Sequence, residues 1–146
     1  MSTRELQQQL IESLHQWQKL ERAQIALTEG VLDTTSNPIV SLVITIIQRD
    51  SELHHQVQQM LIDSLESTVM AMTADDVVQV REQLATHLAM EEETIKLAEN
   101  NLKALAGQKL VVQEFLMDFL LKDEEKHRDL LKALEAFLDP DIMETD

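Results

Sequence analysis

The chain has no cysteine and no tyrosine, two glycines, two prolines and only 3% aromatic residues in 146. The missing cysteines exclude disulfides, thiolate metal sites and thiol catalysis, and are consistent with a cytoplasmic protein. So few glycines, prolines and aromatics leave little material for hairpin turns or a β-sandwich. Basic residues are also scarce. Twelve Lys and Arg stand against 27 Asp and Glu, for a formal charge of −15, and no basic run is present to neutralise phosphates. Nucleic acid and anionic membrane surfaces are therefore not expected partners. Long apolar runs are absent too: the longest, from Ile39 to Ile47, contains Ser41 and Thr45 and is too short to span a bilayer.

What the chain does have is leucine, glutamine, glutamate and alanine at helical spacing, which predicts an all-α protein. Length predicts one domain, residues 1–139, with 140–146 as a short acidic tail. Ser2 with Glu5 reads as a capping box. Leu6, Leu10, Leu14, Trp17, Glu21, Ile25, Thr28 and Leu32 then follow as one stripe. Asn37-Pro38 opens a second helix to about Thr68 or Met70, with Ile39, Leu42, Val43, Ile46, Ile47, Val57, Leu61 and Leu65 as its apolar line. Thr73 with Asp76 starts a third helix, closed by Gly107, and a fourth runs from about Lys109 to Leu138 before Asp139-Pro140. Four such helices joined by short loops predict a four-helix bundle. Both an up-down-up-down connection and a long crossover between helices two and three are open. Met60, Met70, Met72, Met90 and Met117 read as core filler.

Acidic groups interrupt the apolar stripes in a repeating way. Glu21 overlies Glu91 at an offset of 70, and Glu52-x-x-His55 overlies Glu124-x-x-His127 at an offset of 72. Residues i and i+3 share a helix face. Four carboxylates and two imidazoles would thus converge at similar heights, and such groups in a core need partners or a metal. Three alternatives are open. The apolar line of helix two passes through Asp50 and His54, so His54 competes with His55. Glu92 competes with Glu91, and His87, one turn earlier on the same face, is an extra candidate ligand.

A lone Glu on two helices and Glu-x-x-His on the other two resembles the di-metal site of ferritin-like proteins, closest in spacing to the rubrerythrin group. The resemblance spans about Leu6 to Leu138. It implies a di-iron centre, with manganese or another divalent metal as a substitute, ligated by Glu21, Glu52, His55, Glu91, Glu124 and His127. It also implies oxidoreductase chemistry with Fe(II), oxygen or peroxide. Three departures stand out: Thr94 occupies the place of a further carboxylate, a rubredoxin module is impossible without cysteine, and no tyrosine is available near the iron. The electron donor is therefore unassigned. The alternative is a non-catalytic helical interaction protein. Trp17, Leu42 and Phe137 could line a homodimer face.

Overall fold

The computed structural model describes residues 1–67 and 72–137, and every element in them is helical. The chain divides into two compact units, Met1–Ala71 and Met72–Asp146. No helix among the described residues is long and apolar enough to cross a membrane.

The first unit is a helical hairpin of α1 (Thr3–Thr34) and α2 (Pro38–Glu66). At about 1.5 Å per residue, the 32 residues of α1 extend about 48 Å. Its start is capped as expected: Ser2 Oγ accepts from Glu5 N–H at 3.2 Å, and Glu5 Oε2 accepts from Ser2 N–H at 2.7 Å. These bonds from Ser2, backbone first, hold the Glu5 carboxyl below its ordinary value of 4.5. The turn is built by Asn37, whose Oδ1 accepts from the amides of Ile39 and Val40, with Pro38 in the first helical turn. A three-residue connection of this kind folds α2 directly back on α1.

The second unit contains α3 (Ala74–Val78), α4 (Arg81–Leu105) and α5 (Val111–Ala136). The expected third helix is thus divided. Val80, at φ −114° and ψ 10°, leaves helical geometry, and its amide bonds Val77 at i−3, so the ladder tightens before α4 resumes. Asp76 Oδ2 accepts from the Thr73 amide at 2.9 Å, which anchors α3 at the expected place. Gly107 takes the left-handed conformation (φ 75°) that its position predicted, and Lys109 takes a second (φ 56°), so α5 starts at Val111 rather than Lys109. The expected stops at Thr68 or Met70 and at Leu138 to Pro140 lie outside the described residues, as does Met70.

The two seams differ in character. Between α1 and α2 the buried residues are Leu14, Gln18, Glu21, Thr28, Ser51, Gln58 and Ile62, five of them polar. Between α4 and α5 they are Ile95, Ala98 and Leu131 around the single acid Glu91. Several expected core positions lie outside these seams. Leu6, Leu10, Trp17, Leu42, Ile47, Val57 and Leu61 are exposed, as are Met60, Met72 and Met90; of the residues named for a homodimer face, Trp17 and Leu42 are thus exposed and Phe137 is half-buried. The reason is geometric. A helix in a hairpin covers one narrow stripe with its partner, and in α2 that stripe runs through Ser51, His55, Gln58 and Ile62, one side of the leucine-rich line.

Candidate metal centre

In α4, Glu91 occupies the buried stripe that continues through Ile95 and Ala98, and the residue is only 6% exposed. Antiparallel packing within the hairpin sets α5 opposite, and there Glu124 and His127, one turn apart, are both half-buried. Each of the three offers a ligand atom, and these atoms all lie within 4.8 Å of one another. His127 Nδ1 stands 3.3 Å from Glu91 Oε1 and 3.5 Å from Glu124 Oε2. Its other ring nitrogen, Nε2, lies 3.3 Å from Asp123 Oδ2. A histidine whose far N–H meets a carboxylate has its tautomer fixed, with the lone pair of the near nitrogen turned to the site.

Glu91 Oε1 also takes a bond from His87 Nε2 at 2.9 Å, whereas Glu91 Oε2 is buried with no hydrogen-bond partner. Electrostatics fit that imbalance. Glu91 is held below the ordinary carboxylate value, first by its interaction with the Glu124 carboxyl and then by His87 and the charge of His127. Glu124 is pushed up by the same interaction, by burial and by the charge of Glu91. Two adjacent carboxylates in a poorly hydrated place require a proton or a cation between them. Two carboxylates and an imidazole form a donor set that suits iron, manganese or zinc. The residues present therefore fit a divalent ion. Thr94 bonds back to the Glu91 carbonyl at 2.9 Å. Beside Glu124 an apolar groove is lined by Leu97, Ala98, Asn101, Met117 and Leu120.

The first hairpin places its candidates differently. Glu21 is 3% exposed, and its Oε1 lies 3.2 Å from His54 Nδ1 and accepts from Gln58 Nε2 at 3.4 Å. Glu21 Oε2 and Gln58 Oε1 are buried without partners. Glu52 is exposed. His55 Nε2 faces Arg22 Nη1 at 3.3 Å, and its carbonyl accepts from Gln18, which also donates to Gln59 at 3.0 Å. Of the six residues predicted as ligands, the fold brings Glu91, Glu124 and His127 together, the sole such group found among the described residues. Glu92 is exposed, and His87 sits behind Glu91 rather than beside Glu124 and His127 in that group. Sequence reasoning missed Asp123, although Asp-Glu-x-x-His carries the signal: an acid four residues before a histidine lies on its face.

No family model, curated protein or solved structure matches the chain.

Proposed function

We propose that this protein is a divalent-metal protein of the carboxylate and histidine type, with the cation held by Glu91, Glu124 and His127. The observation that carries the reading is the second oxygen of Glu91, a buried acceptor with no partner, beside a carboxylate and an imidazole. Such an oxygen costs on the order of 1–3 kcal/mol or more if nothing meets it. A cation removes that cost.

The cation proposed first is iron, in keeping with the ferritin-like resemblance. Bound iron would supply one-electron exchange with oxygen, peroxide or further Fe(II), so the proposed activity is that of an oxidoreductase served by an external electron donor. Around it the chain's own groups have distinct tasks. Glu91 and Glu124 provide negative charge, and His127 provides a neutral donor at Nδ1 while Asp123 engages Nε2. His87 fixes Glu91 through Oε1 and leaves Oε2 free. The groove beside Glu124 is a route for a small oxidant. A second iron at Glu21, Glu52 and His55, which the resemblance implies, is not part of this reading, because Glu52 is exposed and His55 Nε2 faces Arg22.

Anaerobic Fe(II) titration of the wild type and of a Glu124→Ala, His127→Ala variant tests the proposal. The expected result is stoichiometric uptake by the wild type and affinity reduced at least tenfold in the variant, with unchanged helical circular dichroism. Equal uptake by the two proteins would rule it out. The alternative, a helical interaction protein without metal, has Glu21 in its favour, because His54 and Gln58 already face one of its oxygens. It predicts identical thermal stability with and without chelator.

A further inference from the structure

We infer that the N-terminal hairpin is a lapsed copy of the metal site, in which Ser51 stands where the C-terminal hairpin has Glu124. The inference rests on the metal reading above and concerns how many cations the chain holds.

Turn length sets the register of each hairpin. Three residues separate α1 from α2 and five separate α4 from α5, so the second helices begin at Pro38 and Val111, 73 residues apart. The first helices keep the spacing of 70: Glu21 and Glu91 are both buried, Thr28 and Ala98 are both buried, and Leu32 and Leu102 are both half-buried. Along α2 and α5, burial matches at 73 rather than at the 72 of the two Glu-x-x-His pairs. Gln58 and Leu131 are both buried, Val43 to Ile46 and Leu116 to Phe119 are all half-buried, and Ile47 and Leu120 are both exposed. Identities fall at 73 as well, with Asp50 on Asp123, Glu52 on Glu125, His54 on His127 and Leu61 on Leu134.

Side-chain geometry agrees with this register. His54 Nδ1 approaches Glu21 Oε1 at 3.2 Å as His127 Nδ1 approaches Glu91 Oε1 at 3.3 Å. In both hairpins the other oxygen of the lone glutamate is buried and unpartnered. At the position of Glu124 the N-terminal hairpin has Ser51, which is 4% exposed. Glu52, displaced by one residue and so by about 100° around the helix, is exposed. His55 has its ring nitrogen engaged by Arg22. The N-terminal cluster therefore keeps one buried carboxylate and one exposed imidazole and lacks the second carboxylate. Two donors of net charge −1 hold a divalent ion far more weakly than three of net charge −2, so the chain carries one firmly bound cation, in the C-terminal hairpin.

Co(II) binding under anaerobic conditions, followed by equilibrium dialysis and by visible absorption, tests this on the full chain. The wild type should bind one equivalent, and a Glu52→Ala, His55→Ala variant should still bind one. Ser51→Glu should bind two, with Ser51→Asp as a smaller replacement if the glutamate disrupts folding. Combining Ser51→Glu with Glu124→Ala and His127→Ala should leave one equivalent, at the N-terminal hairpin. Two equivalents in the wild type, falling to one in the Glu52→Ala, His55→Ala variant, would overturn the inference while leaving the metal reading intact. Absence of binding in the wild type and in both position-51 variants would remove the metal reading and the inference together.

Discussion

Two buried glutamates on matching helices meet different company, and the contrast comes from single residues. Glu91 faces Glu124, His127 and His87, while Glu21 faces His54 and Gln58. A carboxylate opposite another carboxylate selects a proton or a metal. One opposite an imidazole and an amide is partly satisfied by hydrogen bonds. Asp123 extends the first set outward, because its bond to His127 Nε2 orients the ring whose Nδ1 faces the two acids. Removing an orienting group of this kind weakens metal affinity by about 10–100-fold without removing a ligand. Isothermal titration of Asp123→Ala with Mn(II) should show that loss with unchanged stoichiometry. If stoichiometry fell instead, Asp123 would itself be a ligand.

At the scale of helices, the hairpins are fixed by their turns and by one narrow seam each. Ile62, at 1% exposure, is the most completely buried large side chain among the described residues, and burial of such a residue is worth about 1.5–3 kcal/mol. The two glycines test opposite sides of the same backbone argument. Gly107 holds φ 75° with open space where a β-carbon would sit, so Gly107→Ala should destabilise by about 1–2 kcal/mol through the backbone alone. Gly30 lies within α1 with open space around it, and Gly30→Ala should stabilise by about 0.5–1 kcal/mol. Denaturant titration with a common slope measures both, and a penalty at Gly30 would mean that something packs closely there. The expected single third helix had no proline or glycine to warn of its break. Val80 is an ordinary residue whose departure from helical geometry only the folded chain displays.

For the whole molecule, the proposed cation links stability to metal concentration. A ligand at about 100 times its dissociation constant stabilises the state that binds it by about 2.7 kcal/mol. In a chain of this size that is a rise in Tm of about 5–10 °C. Mn(II) should produce such a rise, chelator should reverse it, and hydrogen exchange should locate the added protection in residues 81–136. Protection gained equally in residues 3–66 would instead favour a second loaded site there. The all-helical class, the caps at Ser2 and Asn37, the left-handed Gly107 and the pairing of Glu124 with His127 were legible from the residues alone, because they depend on local spacing and backbone preference. Which face of α2 is covered was not. That depends on the length of a turn and on which stripe the partner helix meets, and both are properties of the folded hairpin. One residue of register carries Glu52 about 100° away from the seam and places Ser51 there instead.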